Sequence, residues 1–416
     1  MHTSSRASIV FVFITVLIDS IGFGIVIPVL PDLIMQLTGT GLSQAARYGG
    51  WLNFVYAVMQ FFCAPVIGNL GDRFGRRPVL LSALFALGID YLVMGLAPSL
   101  GWLFAGRLIA GIAGASYSPA YAYIADISPP EKRAQNFGFI GAAFGIGFVL
   151  GPSIGGLLGV LGPRVPFFAA AALALLNAAF GLFALPESLP RERRRTFEWS
   201  RANPFGALMQ LRKQPVVIGL AGVAFLWLLG HQVLPSTWAF YTMFRFNWST
   251  ALVGYSLAAA GIVMAISQAG LTRVLVPRLG GEQRAALVGL LSGAAVYTCY
   301  AFAPYGWVLY IGILAWGMAA LSWPSLNALM SQQVPPDAQG ELQGALASLS
   351  SVAAVLGPPL MTQLFGKFSD PAAPVHFPGA PFFTAALLAL ASAIILARIC
   401  SGHSSSLARP DSSVAQ

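Results

Sequence analysis

From end to end, the chain is a succession of long apolar runs separated by short polar breaks. The runs lie at roughly 9–31, 49–69, 79–97, 101–124, 136–160, 165–185, 215–241, 251–272, 285–303, 306–330, 342–365 and 381–399. Each is near the roughly 20 apolar residues that a helix needs to cross the hydrocarbon core. None shows the alternating segments of about ten residues that mark a membrane β-barrel. The pattern predicts an all-α membrane protein with twelve transmembrane helices.

Few ionisable residues interrupt these runs: Asp19 in the first, Asp90 in the third, Arg107 in the fourth and His231 in the seventh. A charged group at bilayer depth costs about 2.5–3.5 kcal/mol on insertion scales, so it faces a water-filled cavity or a partner. Many spans with a few placed ionisable groups point to a transporter. Composition agrees. Only 9% of the 416 residues are charged and 57% are hydrophobic, against about 25% charged in soluble proteins, which excludes a water-soluble fold.

The basic residues orient the chain. With the N-terminus inside, Arg6, Arg73, Arg76, Arg77, Lys132, Arg133, the group from Arg191 to Lys213, Arg273, Arg278, Arg284, Arg398 and Arg409 are cytoplasmic. Arg47, Arg164, Arg245 and Lys367 fall outside. Both termini are then expected in the cytoplasm, and the net charge of +9 is topogenic. No basic stripe with interleaved aromatics suggests nucleic acid. The three cysteines, Cys63, Cys299 and Cys400, lie in or at the ends of apolar runs, an odd number that argues against a disulfide framework. The first run is too long for a signal-peptide core and is read as a retained span.

The long cytoplasmic connection at 186–214 divides an N-terminal six-helix bundle, 1–185, from a C-terminal one, 215–400. A Ser-rich tail, 401–416, is read as disordered. The halves repeat. Pro129-Pro130, Gly138 and Gly151-Pro152 recur as Pro335-Pro336, Gly344 and Gly357-Pro358, each 206 residues later. Such parallel repeats imply alternating access to a site between the halves near the midplane.

After the second span comes a segment read as a loop, Gly68-Asn69-Leu70-Gly71-Asp72-Arg73-Phe74-Gly75-Arg76-Arg77-Pro78. Its glycines allow a tight turn, and Asp72 among arginines is placed to pair with helix ends and basic groups. Asp126, at the end of the fourth span, is expected to pair with this segment. In the fifth span Gly147, Gly151, Gly155 and Gly159 recur every four residues, a stripe that admits a second helix closely, and Pro152 removes a backbone donor. The stripe serves either packing alone or packing and gating together.

These segments carry a resemblance to the major facilitator superfamily. The Gly68–Pro78 segment resembles its Gly-x-x-x-Asp-Arg-x-Gly-Arg-Arg signature, Gly106–Gly114 its fourth-helix motif, and Gly147–Gly156 its fifth-helix antiporter motif. Within the superfamily the chain is similar to tetracycline/proton antiporters. The likeness rests on Asp19-Ser20-Ile21-Gly22-Phe23-Gly24, Pro28-Val29-Leu30-Pro31, Asp90-Tyr91, Tyr123-Ile124-Ala125-Asp126-Ile127, Pro186-Glu187-Ser188 and Phe246-Asn247-Trp248-Ser249. The resemblance implies pseudo-symmetric bundles, proton-coupled drug efflux from a bacterial inner membrane, and a conformational role for the glycine stripe. It departs from those pumps at Met264 and Gly293, which stand where they carry a histidine and an aspartate.

A carboxylate in a low-dielectric cavity holds its proton more readily than one in water, which suits Asp19 and Asp90 to proton carriage or to binding cationic groups. Either acid could instead be a structural partner of Arg107. Arg107 is then a counter-charge released during transport or half of a static pair. Asp19 is followed by Gly22 and Gly24, read as leaving backbone exposed beside the acid. His231 can titrate near neutrality or serve helix packing. Gln60, Tyr117, Tyr121, Gln232, Trp238, Trp316 and Asn327 are candidates for an amphipathic cavity lining. Gly68, Asp72, Arg73, Gly75, Arg76, Arg77, Asp126, Gly147, Gly151, Pro152 and Gly155 are candidate gate residues.

The partners expected are a small-molecule substrate, protons and the lipid bilayer, with the protein working as a monomer. No cofactor or metal is called for, and no Gly-x-x-x-x-Gly-Lys-Ser/Thr occurs, so an ion gradient supplies the energy. Uptake or exchange of a metabolite such as a sugar or organic ion is the alternative within transport, and a non-transporting receptor or scaffold is the alternative outside it. One membrane histidine and two membrane acids assemble no catalytic set.

Overall fold

The structure, a computed structural model, describes residues 2–114, 117–129, 132–198, 215–335 and 338–407. Among them no strand occurs, as lipid demands of a chain whose backbone polar groups must be satisfied internally. Among the described residues ten helical stretches are long and apolar enough to span a membrane, and two shorter apolar helices stand at the fourth and eighth places. Together they occupy the twelve places that the hydrophobic pattern marks.

In chain order the helices are α1 (His2–Val26), α2 (Leu30–Thr38), α3 (Leu42–Phe74), α4 (Arg76–Leu96), α5 (Leu100–Ala113), α6 (Tyr117–Ile127), α7 (Arg133–Gly159) and α8 (Val165–Ala184). There follow α9 (Pro215–His231), α10 (Val233–Phe246), α11 (Thr250–Ile266), α12 (Thr272–Arg278), α13 (Glu282–Phe302), α14 (Gly306–Ala319), α15 (Ser322–Ser331), α16 (Gln339–Phe368) and α17 (Ala380–Leu407).

Two predicted spans are therefore broken helices: the seventh run holds α9 and α10, and the tenth α14 and α15. In the fourth run α5 and α6 are separated by residues 115–116, which lie outside the described residues. In each broken span the second piece has proline as its third residue, Pro235 and Pro324. Proline there lacks the N–H that would carry the hydrogen-bond ladder across the join. In the eighth run a π-turn at Ser267–Leu271 separates α11 from α12, and the Ser267 hydroxyl donates to the Gly317 carbonyl at 2.6 Å.

The segment read as a loop after the second span is mostly helix. Gly68 to Phe74 are the last turns of α3, and the chain breaks only at Gly75, whose φ of +107° favours glycine. Arg76 already opens α4. The connection that follows α8 is docked at the same end. Asn69 Nδ2 donates to the Glu198 carbonyl at 2.7 Å, and the Arg195 N–H to the Asp72 carbonyl at 3.1 Å. The linker residues 199–214 lie outside the described residues. The last helix runs to Leu407, into the segment read as a tail.

The chain divides into two compact units. The first comprises Met1–Pro204, Leu234–Ile262 and Ala354–Pro378, and the second Phe205–Val233, Val263–Ala353 and Gly379–Gln416. In the first unit α1 packs on α7 and α8, α4 on α8 and α5, and α3 on α5. The glycine stripe of α7 makes the first of these contacts possible. A Cβ on Gly151 would stand 2.7 Å from the Ile21 carbonyl oxygen and 2.8 Å from the Gly24 Cα, and one on Gly147 would strike Ser20. On another side of α7, Gly156 meets the backbone of Thr250 and Gly254 in α11.

Within the first unit, the start of α3 is also fastened to α10 and the end of α16. Ser369 Oγ donates to Ser43 Oγ at 2.8 Å, and Arg47 Nη2 donates to the Gly366 carbonyl at 3.0 Å and lies 4.0 Å from Asp370. Gly49 admits the Phe240 ring and Gly50 the Thr362 side chain. In the second unit α13 packs on α17, α14 and α15, and α9 packs on α17.

Candidate functional site

The third and fourth spans bring the first pair of predicted residues together. Asp90 on α4 is fully buried, and its Oδ2 accepts from Arg107 Nη2 on α5 at 3.1 Å. The same nitrogen lies 2.6 Å from Met94 Sδ, and the guanidinium stands over the Tyr56 ring of α3, 5.7 Å from its centroid. Glycine at 106 makes room for this pair, since a Cβ there would meet Asp90 Oδ1 at 2.6 Å. The pairing is incomplete: Asp90 Oδ1 and Arg107 Nε are buried without a hydrogen-bond partner.

Asp19 lies on α1 with its Oδ1 likewise buried and unpartnered. Tyr56 and Tyr91 each interact electrostatically with Asp19, Asp90 and Arg107, so the two acids and the base form one cluster. The glycines after Asp19 do not expose backbone beside it, contrary to the expectation from sequence. Gly22 takes the Tyr91 hydroxyl, and Gly24 takes Gly151 and Pro152 of α7. Both serve close packing. Gln60 joins the edge of the cluster, donating to the Gly114 carbonyl at 3.1 Å and to the Tyr56 hydroxyl at 3.4 Å. In the sequence Tyr91 stands out only within the Asp90-Tyr91 likeness and Tyr56 not at all; their contacts mark both as part of the cluster.

His231 belongs to the second unit. It ends α9 at the break before α10 and stacks on Trp227 and Trp316, at centroid distances of 6.2 and 5.5 Å. Its Nδ1 is 3.3 Å from the Tyr297 hydroxyl. Trp227 and Trp316 stack in turn at 6.0 Å. A Cβ on Gly293 would stand 2.6 Å from the Trp227 ring, so indole fills the space that a side chain at 293 would need. Met264 is partly exposed.

The other cavity candidates are dispersed. Trp316 is buried in the aromatic stack just described. Trp238 is also buried, donating Nε1 to Ser256 Oγ at 2.9 Å. Gln232 is half-buried at the α9–α10 break. Asn327 Oδ1 accepts from Gln343 Nε2 at 2.9 Å. Tyr121 is exposed and pairs with Phe137 at 5.7 Å. The Tyr117 side chain lies outside the described residues.

The gate candidates of the 68–77 segment and Asp126 converge at one end of the first unit. Arg76 pairs with Asp72 one turn earlier, and its Nε is 3.4 Å from Asp126 Oδ2. Ser188 Oγ donates to the same Asp126 oxygen at 3.2 Å. The Glu187 carboxylate caps the start of α4: its Oε1 accepts the Arg76 N–H at 2.9 Å and the Arg77 N–H at 3.5 Å. An anion there satisfies orphan donors and complements the helix dipole. Arg77 Nη2 donates to the Leu182 carbonyl at 2.6 Å, and Arg194 lies 3.7 Å from Glu187 Oε2. Gly75 passes beneath this carboxylate, leaving no space for a Cβ. Gly68 is in the last turns of α3, and Arg73 is exposed with its guanidinium over Phe74 at 5.1 Å. Gly147, Gly151, Pro152 and Gly155 form the α7 face that packs on α1.

Comparison with known proteins places this geometry. The Major Facilitator Superfamily profile matches residues 12–358 and 280–413. The tetracycline resistance protein of class C from Escherichia coli is 41% identical over 361 residues, covering 87% of this chain and 90% of that protein. The class G protein from Vibrio anguillarum is 38% identical over 365 residues, covering 86% and 91%. Among solved structures, the human organic anion transporter MFSD10 (TETRAN) matches with a TM-score of 0.68 at 27% identity, over 94% of this chain and 99% of that one.

Proposed function

The chain belongs to the Major Facilitator Superfamily, a multi-pass membrane transporter related to the tetracycline resistance proteins, and from that premise we propose that it exports small amphipathic drugs, tetracyclines among them, in exchange for protons. The observation that best supports this reading is the buried and incompletely partnered set of Asp19, Asp90 and Arg107. A carboxylate that can hold either a proton or a cationic substrate group couples the two by competition. A ligand shifts a conformational equilibrium only through its different affinity for the two states, and competition for one acid supplies that difference. Arg107 holds Asp90 in place and offers it a counter-charge while the proton is away.

The second unit enters the scheme differently from the related pumps as described by the resemblance. Gly293 bears no acid, and Trp227 occupies its space. The proton-carrying role therefore falls on the first unit, and the stack of Trp227, His231 and Trp316 supplies apolar and aromatic surface. The protein works as a monomer in a bacterial inner membrane, with both termini in the cytoplasm and no chemical transformation of its cargo. The charge network of Asp72, Arg76, Asp126 and Glu187 acts as a latch that alternates with transport.

The test is a susceptibility panel in a pump-deleted bacterial host, joined to uptake by everted vesicles. Expression is expected to raise the inhibitory concentration of tetracyclines, and collapse of the proton gradient to abolish uptake by the vesicles. No shift for any drug would turn the reading to metabolite transport. Uptake unaffected by the gradient would remove the antiport step.

A further inference from the structure

Arg107 is held from two sides. On one, α4 offers the Asp90 carboxylate, and on the other α3 offers the face of Tyr56, whose centroid is 5.7 Å from the guanidinium carbon. The second side is built by α5 itself. Arg107, Gly111 and Gly114 stand at i, i+4 and i+7, and so share one face of that helix and its C-cap. A Cβ on Gly111 would meet the Tyr56 carbonyl oxygen at 2.6 Å, and one on Gly114 the Tyr56 hydroxyl at 2.7 Å. The two glycines therefore bring α5 against α3 and seat the tyrosine at both its ends. Gln60, one turn further along α3, donates to the Tyr56 hydroxyl at 3.4 Å and to the Gly114 carbonyl at 3.1 Å. The ring is thus oriented by groups other than the arginine that stands over it.

The carboxylate side is the weaker hold. One guanidinium nitrogen reaches one carboxylate oxygen, while Asp90 Oδ1 and Arg107 Nε stay unpartnered. A proton can neutralise Asp90, but a guanidinium keeps its charge. With its side chain only 8% exposed, Arg107 then has little water to turn to. Met94 Sδ, beside the same nitrogen, is a weak acceptor. An aromatic face attracts a desolvated guanidinium without needing a proton or a hydrogen bond.

We propose that Tyr56 is the positioning residue of Arg107: when Asp90 takes up a proton, the guanidinium leaves the carboxyl group and settles on the Tyr56 ring. The inference rests on the proton-coupled reading above. One O–H bond forms on Asp90, and no covalent bond of Arg107 or Tyr56 changes. The ring favours the state with neutral Asp90 more than the ion pair, because only there does it hold the cation alone. Around Asp90 the charged and titratable groups are Asp19 from α1, Tyr56 from α3, Tyr91 from α4 itself and Arg107 from α5. Helix α8, which packs on α4, contains no titratable side chain. Helix α6 also touches α4, but Tyr121 pairs with Phe137, Tyr123 donates to the Pro186 carbonyl at 2.9 Å, and Asp126 lies by Arg76.

Two measurements test the exchange. In an infrared titration of the reconstituted protein, the carboxylic C=O band that Asp90→Asn removes reports proton uptake by Asp90. Tyr56→Leu is expected to move the midpoint of that band down by about one pH unit, because the cation loses its resting place. Tyr56→Phe keeps the face and should leave the midpoint where it was. A midpoint unmoved in Tyr56→Leu overturns the proposal, and so does an equal shift in both variants, which would assign the effect to the hydroxyl. The second measurement leaves Tyr56 in place, and so stands even where Tyr56→Leu does not fold. With labelled arginine and the signal assigned through Arg107→Lys, NMR of the guanidinium is expected to show an upfield ring-current shift as Asp90 protonates, and the same shift in Asp90→Asn. A signal that stays, or moves downfield as it would on turning to Asp19, overturns the exchange. Both expected shifts together with vesicle uptake that ignores the proton gradient would uphold the exchange and locate the failure in the antiport reading.

Discussion

At the scale of single residues, Asp90 and Arg107 differ in how each tolerates losing the other. Removing one member of a buried pair costs about 3–5 kcal/mol because the survivor is left uncompensated. A carboxyl group can escape that cost by taking up a proton, whereas a guanidinium cannot. Asp90→Asn is therefore expected to lower thermal stability in detergent more than Arg107→Met, with the double variant recovering part of the loss. Equal losses from the two single variants would mean that the pair is not desolvated as its burial implies. In the proposed antiport, the same contrast gives the pair a direction, since only one partner can be neutralised in place.

Among elements, α7 carries both tightly enclosed and open glycine positions. Gly151 faces the backbone of α1 at Ile21 and Gly24, which cannot move aside as a side chain would, while Gly138, Gly141 and Gly145 have nothing within 4 Å. Gly151→Val is expected to abolish folded yield or transport. Gly141→Ala should be neutral or stabilise by up to about 1 kcal/mol through helix propensity. Fluorescence-detected size exclusion with a thermal ramp checks both. Comparable damage from the two would show that flexibility, not close approach, is what the glycines provide. The stripe is thus a packing surface along most of its length, and Gly156 extends it to α11.

For the whole molecule, the fastening of α3 to α16 joins residues more than 300 positions apart in the chain. With the native cysteines replaced, Ser43→Cys with Ser369→Cys is expected to cross-link on oxidation, because the two hydroxyl oxygens are 2.8 Å apart. If transport proceeds by alternating access between the chain's halves, as proposed, this fastening opens in each cycle, so the cross-link should arrest transport and reduction restore it. Transport that continues at full rate with the bond formed would show that the fastening never releases. Apolar runs, basic residues and repeated glycines determined the span positions, the superfamily likeness and the candidate acids, because lipid imposes length and charge rules that each segment obeys by itself. The tertiary structure alone decided which span is broken, that the supposed loop ends as helix at Phe74, and that Trp227 fills the room beside Gly293. It alone showed that the Asp90–Arg107 pairing leaves Asp90 Oδ1 and Arg107 Nε unmet, because an unmet hydrogen bond is defined by what every neighbouring helix fails to offer.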